Sequence, residues 1–346
     1  MNDQRAPAAD LRLDLLHRWL REGLGLTGYG LAPASADASF RRYFRVTLPG
    51  GATRVVMDAP PEKENVDPYV RIAGMFTEIG VHAPRVLERD AGQGFLLLTD
   101  LGTRMYLPEL ARDGQADTLY GDAFDALVRI QDRGDAHSRA LPPYDEKLLR
   151  FEMSLFPDWL LARHLGLTPS AQESQVLARA MDALVAVCLG APQVFVHRDY
   201  HSRNLMVCPG DNPGILDFQD AVRGPITYDL VSLLRDAYIA WPPERVTAWV
   251  LDYRRRAIAA GLDGGRDDAE FLRWFDLVGL QRQLKVAGIF ARLWHRDGKA
   301  GYLADIPLTL RYAIGACARH GDFAALGEFI ERRVLPEVVA KLEGGA

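Results

Sequence analysis

The chain of 346 residues is poor in cysteine and lysine and has no long apolar run. Its three cysteines, Cys188, Cys208 and Cys317, form no CxxC pair and no even framework, which argues against a disulfide scaffold and a zinc ribbon. No uninterrupted apolar stretch approaches the roughly 18 residues of a membrane span. The segment Met1 to Asp10 carries acids from Asp3 onward and lacks an apolar core. A cytoplasmic chain with no membrane attachment is therefore expected. An excess of one charge is missing too: 41 Lys plus Arg stand against 46 Asp plus Glu, a formal net charge of −5. This mild acidity offers no broad field for nucleic acid or anionic lipid, and nothing implies an obligate protein partner. Only five of the basic residues are lysines, and Lys63 is the only one before residue 147.

With 48% hydrophobic residues the chain is long enough for about two globular lobes. Asp10 caps a helix with Leu13, Leu16, Trp19, Leu20 and Leu24 at helical spacing, closed by Gly23 and Gly25. Ser39 to Leu48 and Thr53 to Met57 flank a Pro49-Gly50-Gly51 turn and read as a hairpin. Asp67 and Pro68 start a helix with Ile72, Met75, Phe76 and Ile79 on one face, stopped by Gly80. Val81 to Leu87 and Phe95 to Thr99 read as two more strands, so residues 1–101 are expected to form a β-rich lobe. From residue 102 the pattern turns to long helices, notably Asp117 to Gln131 and Ser170 to Leu189. A β-rich island interrupts them at Val194 to His197, Leu205 to Cys208 and Ile215 to Asp217, and helices resume at Asp229. The expected class is α+β, with a small antiparallel β lobe carrying a helix and a large, mainly helical lobe over 102–346.

The island carries the chemistry. His197-Arg198-Asp199-Tyr200-His201-Ser202-Arg203-Asn204 matches H-x-D-x-x-x-x-N, and Ile215-Leu216-Asp217-Phe218 follows on the next strand. Phosphoryl transfer needs a carboxylate that orients the incoming hydroxyl and accepts its proton, and oxygen ligands that hold Mg²⁺ against the ATP phosphates. Asp199 suits the first role, and Asn204 and Asp217 the second. His197 is expected to anchor the loop by packing and hydrogen bonding.

Two other patterns fail on context. Gly23-Leu24-Gly25-Leu26-Thr27-Gly28 spells G-x-G-x-x-G, but it ends a helix instead of following a strand. His197 and His201 have zinc-like spacing, yet Arg198 stands where H-E-x-x-H has glutamate, and the pair flanks a loop.

These runs resemble the aminoglycoside phosphotransferase family, small-molecule relatives of the protein kinases, over nearly the whole chain. The resemblance implies a protein-kinase-like bilobal fold, a structural aspartate at Asp229 behind the catalytic loop, and adenine contacts from backbone groups at Thr99 to Leu101. Asp37 to Arg45, Met57 to Glu62, Val196 to Val207, Leu216 to Asp236 and Gln283 to Arg292 are similar to one branch, the bacterial N-acetylmuramate/N-acetylglucosamine kinases of cell-wall recycling. That likeness implies an amino-sugar acceptor phosphorylated at its anomeric hydroxyl.

The chain departs from the family pattern at Val55-Val56-Met57-Asp58, which lacks the strand lysine that meets ATP phosphates. Arg42 or Arg45 is expected to replace it, with Ser39 and its small neighbours nearest the phosphate loop. Gln219 occupies a place where many relatives carry an acid, so a second metal ion is not assured. An acceptor carboxylate would find a cation among Arg282, Lys285 and Arg292, although a solvated helix face is the commoner fate of such a run. Tyr200 is a further loop residue, and His201 and Arg203 are candidates to face substrate. Rival readings are a kinase for another small alcohol, such as an aminoglycoside, choline-like or homoserine-like acceptor, and a nucleotide-binding pseudokinase.

Overall fold

The computed structural model describes residues 10–36, 40–112 and 114–344. These fall into two compact units, one ending at Thr103 and the other comprising Ile79–Val81 and everything from Arg104 onward. The first unit opens with α1, Leu11–Arg18, whose first turn is capped by the Asp10 carboxylate accepting the Leu13 N–H at 3.1 Å. The helix continues as a wider π turn to Gly23. Five antiparallel strands follow, β1 Gly30–Ala36, β2 Arg42–Thr47, β3 Thr53–Asp58, β4 Val86–Asp90 and β5 Phe95–Thr99, in the order β1-β2-β3-β5-β4. Helix α2, Asp67–Ile79, joins β3 to β4. Leu16 and Leu20 meet Val46, Val56, Phe95 and Leu97 in one apolar cluster against the sheet.

Two details correct the sequence reading. Strand β1, which contains Pro33, is absent from the strands expected above. It lies at the sheet edge, and its register shifts between Pro33 and Ser35, where a missing N–H does little harm. Strand β4 begins at Val86 and not at Val81, since Pro84 has no donor for a ladder.

The second unit contains α3 Tyr106–Leu110, α4 Ala116–Arg133, α5 Asp135–Ser138, α6 Glu146–Leu155 and α7 Ala171–Gly190, the last started by a reciprocal Ser170/Glu173 capping box. Strand β6, Gln193–Val196, and β9, Val222–Pro225, pair antiparallel; between them β7, Leu205–Met206, pairs with β8, Gly214–Ile215. The sequence reading missed β9, since Val222-Arg223-Gly224-Pro225 shows no alternation. Then come α8 Tyr228–Leu234, α9 Pro243–Ala259, α10 Asp268–Asp297 and α11 Ile306–Arg319, with shorter helices to Glu343. The 30-residue α10 is buried over most of its length and packs against α6, α7, α8, α9 and α11. Gly288 allows the closest of these approaches: a Cβ there would lie 2.3 Å from the Leu155 carbonyl carbon. Among the described residues no helix is long and apolar enough to cross a membrane.

In the first unit, Gly94 has φ +72° and a Cβ there would lie 1.9 Å from the Ala59 carbonyl oxygen. Gly94→Ala is expected to cost about 3 kcal/mol in urea unfolding, through a left-handed backbone and a collision with main chain; an unchanged midpoint would contradict this packing. A second expectation concerns His164, buried and 3.2 Å from His295, whose pKa burial and the neighbouring histidine press down to about 4. Unfolded, it binds a proton below about 6.5 that the native chain refuses, so its stabilising contribution is complete above that pH and is lost as pH falls toward 4. His164→Asn should flatten the stability-against-pH curve by about one proton in that window.

Candidate active site

The loop from β6 to β7 is held from beneath by one carboxylate. Asp229, in the first turn of α8, accepts the His197 N–H at 2.7 Å through Oδ2 and the Arg198 N–H at 3.0 Å through Oδ1. Two successive amides can turn toward one carboxylate because Arg198 has φ +79°, a left-handed conformation rare for a side-chain-bearing residue. Burial pushes the Asp229 carboxyl up to about 7 in spite of these two donors. His197 is fully buried, which lowers its pKa to about 4 and keeps the ring neutral. Its Nδ1 accepts the Asp199 N–H at 3.2 Å, so the proton sits on Nε2, which donates to the Leu216 carbonyl at 3.0 Å. The ring thus ties the loop of residues 197–204 to the segment carrying Asp217.

Asn204 closes the loop on itself. Its amide donates to the Asp199 carbonyl at 3.0 Å and lies 3.4 Å from Asp217 Oδ2. Asp217 also takes a left-handed backbone, φ +62°, and its Oδ1 accepts from Gln219 Nε2 at 2.8 Å. Residues held in such conformations cluster where a side chain must be aimed against local preference. Asp199 is half-buried. Burial raises its pKa, but Lys285, His201, Arg198 and Arg282 outweigh that and hold the carboxyl below the usual range, so it is ionised at neutral pH.

Sequence reasoning missed the layer behind this loop. Glu152 of α6 is buried and pairs with the Arg198 guanidinium and, at 3.0 Å, with Lys285 Nζ of α10. The Tyr144 hydroxyl donates to the same carboxylate, and Lys285 also donates to the Tyr228 hydroxyl at 2.9 Å. Burial raises the Glu152 pKa, yet Lys285 and Arg198 together bring it below its ordinary value. Removing this carboxylate would leave two buried cations unpaired, at a cost of roughly 3–5 kcal/mol. No local motif marks Glu152; only a polar residue on the apolar face of α6 hinted at it. Asp236, also unforeseen, accepts the Ser202 N–H at 3.0 Å and braces the middle of the loop. The buried Tyr200 hydroxyl donates to the Ala123 carbonyl at 2.8 Å, a packing role.

The helical-face reading of Arg282, Lys285 and Arg292 needs correction: the first two are buried and the third is not fully solvated. Lys285 is committed to Glu152, so it does not await an acceptor. Arg282 is 6% exposed and its Nε has no partner. Of the other acceptor candidates, Arg203 lies over the Tyr238 ring at 3.5 Å, and His201 meets the same ring edge-on at 5.7 Å. Two tryptophans of the second unit pack against its helices: Trp241 donates to the Tyr120 hydroxyl and Trp249 to Asp117.

In the first unit the two arginines expected to meet phosphate are already occupied. Arg42 pairs with Asp10 and, at 2.6 Å, with Asp58; Arg45 binds Asp100 at 2.6 Å and the Gly102 carbonyl at 2.7 Å. Asp58 is fully buried and needs compensating charge, which Arg12 and Arg42 provide. That demand counts against Arg42 as the replacement for a strand lysine, and Asp100 does the same for Arg45. Lys63 sits over the Phe40 ring at 4.4 Å. Thr99 ends β5, with its N–H given to the Arg85 carbonyl and its hydroxyl accepting the Arg85 N–H, and Leu101 follows two residues on. Ser39 lies outside the described residues.

Comparison with known proteins gives the chain a family and a fold. The model of the phosphotransferase enzyme family matches residues 30–275. An N-acetylmuramate/N-acetylglucosamine kinase of Pseudomonas aeruginosa is 47% identical over 331 residues, covering 93% of this chain and 96% of that protein. The protein of the same description from Pseudomonas putida is 44% identical over 350 residues, covering 98% and 99%. Among solved structures, a Plasmodium vivax ethanolamine kinase superposes with a TM-score of 0.65 at 11% identity, covering 91% of each chain, which supports a kinase-like fold. By a family match over most of its length and relatives this similar from end to end, the chain belongs to the phosphotransferase enzyme family.

Proposed function

We propose that the protein is an ATP- and Mg²⁺-dependent kinase that phosphorylates the anomeric hydroxyl of N-acetylmuramate and N-acetylglucosamine in the cytoplasm, returning cell-wall sugars to use as 1-phosphates. The observation that carries the acceptor is 47% identity, over nearly both full lengths, to a relative described by those two sugars. The chemistry is supported by the Asp199, Asn204 and Asp217 constellation.

Asp199 is the base. It is ionised and held in a loop whose backbone is fixed by Asp229, His197 and Asn204. The sugar hydroxyl gives its proton to this carboxylate while its oxygen bonds to the γ-phosphorus. The bond from that phosphorus to the β,γ-bridging oxygen breaks, and ADP leaves with the oxygen. Most of the rate gain in such a transfer comes from positioning and electrostatics, which suits a loop pinned at so many points.

The donor set fits a magnesium ion. Asn204 uses its nitrogen toward Asp199 and Asp217, leaving Oδ1 as an oxygen donor, and Gln219 restrains one oxygen of Asp217 while the other faces Asn204. One carboxylate and one carboxamide are a normal protein share for an ion that takes its remaining ligands from phosphate and water. When bound, the ion neutralises charge on the phosphates. Thr99 and Leu101 are proposed to border the adenine, and His201 and Arg203 to border the acceptor.

Asp199→Asn is expected to lower kcat by about 10³-fold with little change in Tm, because the loop's fixed points all lie in neighbouring groups; near-normal turnover would remove Asp199 from its role. Incubation with Mg-ATP and a panel of amino sugars, choline, ethanolamine and aminoglycosides, read by phosphorus NMR, should give anomeric phosphates of the two N-acetyl sugars. A phosphate on a non-anomeric hydroxyl, or on choline or an aminoglycoside alone, would overturn the acceptor assignment.

A further inference from the structure

A buried arginine normally has a carboxylate or several carbonyl oxygens around its guanidinium, because an ion removed from water must be compensated. The second unit follows that rule for Arg198, which has Glu152, and for Arg235, which has Asp276. Arg282 breaks it. It is 6% exposed in the middle of α10, its Nε is buried without a partner, and it makes no hydrogen bond or ion pair with any described residue. One turn further along the same helix, Lys285 is fully engaged by Glu152 and Tyr228. Asp199 and Asp229 both feel Arg282 electrostatically, and Asp229 is already spent on the loop amides. The side chain also influences His201, on the same loop. A cation thus stands beside the catalytic aspartate with its hydrogen-bonding capacity unspent.

Taking the proposed acceptors as given, we propose that Arg282 is the acceptor-specificity residue that binds the carboxylate of the acidic sugar. The two acceptors differ in one respect that matters here: N-acetylmuramate carries a lactyl carboxylate and N-acetylglucosamine has a hydroxyl in its place. A guanidinium with free N–H groups binds a carboxylate through paired, charge-assisted hydrogen bonds and gives a hydroxyl much less. Both sugars have the same anomeric group, so Asp199 serves either, and Arg282 sets the preference between them. Arg292, the other α10 arginine with an unpartnered Nε, is half-buried and feels Arg296, Asp297 and Glu152, whereas Arg282 is the one of the two among the charges that hold Asp199 down.

The test is the ratio of kcat/KM for N-acetylmuramate to that for N-acetylglucosamine, at saturating Mg-ATP, in the full chain. Arg282→Gln should lower this ratio about 10- to 100-fold, mainly through KM for the acidic sugar. Arg282→Lys, which keeps charge but loses the planar fork, should fall between Gln and the parent. Arg292→Gln should leave the ratio unaltered. Thermal unfolding keeps the result interpretable: Arg282 has no hydrogen bond or ion pair to lose among the described residues, so Arg282→Gln should melt close to the parent. If both sugars lose the same factor in kcat, Arg282 serves the transferred phosphoryl group and the proposal fails. An unchanged ratio, or one moved by Arg292→Gln instead, overturns it as well. If the parent phosphorylates both sugars, such a failure touches Arg282 alone; if it phosphorylates neither, the acceptor reading falls first and this one with it.

Discussion

Asp229 holds two consecutive main-chain N–H groups, those of His197 and Arg198, and much of the site depends on that grip. A buried carboxylate pays for its desolvation only if its oxygens are met by donors, and the loop provides them by letting Arg198 adopt a left-handed backbone. The conformation in turn sends the Arg198 side chain to Glu152 and leaves Asp199 next in line, where its own N–H is taken by His197. Backbone strain at Arg198, the buried acid of α8 and the aim of Asp199 are therefore parts of one arrangement.

The same logic of compensated burial organises the helices around it. Glu152, Lys285, Tyr144 and Tyr228 form a closed polar layer in which each charge meets an opposite one, and it joins α6, α8 and α10 beneath the loop. Such a layer contributes little net stability against an apolar replacement, but it makes the alternatives expensive, because any shift strands a charge. In the first unit Asp58 imposes a comparable demand on Arg12 and Arg42. An arginine there answers a structural need before any nucleotide is considered. Arg282 stands out against this background because it is buried and, among the described residues, makes no hydrogen bond or ion pair.

Local signals carried the reading far where chemistry and structure are set by neighbours in sequence. The Asp10 cap, the Pro49-Gly50-Gly51 hairpin and the helices at Asp117 to Gln131 and Ser170 to Leu189 followed from periodicity and turn chemistry, and the structure has them within a few residues. Strands β1 and β9 escaped because each is stabilised by a partner elsewhere: Pro33 is tolerated by an edge position, and Val222-Arg223-Gly224-Pro225 is a strand only because β6 lies alongside. The H-x-D-x-x-x-x-N run was legible for the same reason as the caps, since four residues between Asp199 and Asn204 leave few ways to close the loop.

What the sequence by itself determined is the set of chemical groups: a carboxylate and a carboxamide in one short run with a histidine at its head, a second carboxylate on the next strand, and alternating and helical patterns that sort the chain into a sheet-rich and a helix-rich part. Only the tertiary structure decided which charges are spent. Arg42, Arg45, Arg282 and Lys285 read alike in one dimension, as cations near suggestive motifs. Folding gives Arg42 to Asp58, Arg45 to Asp100 and Lys285 to Glu152, and leaves Arg282 without a hydrogen bond or ion pair among the described residues. The reason is physical: pairing a charge depends on which opposite charge burial brings within a few ångströms, and that partner comes from anywhere in the chain, as Glu152 does 46 residues before Arg198.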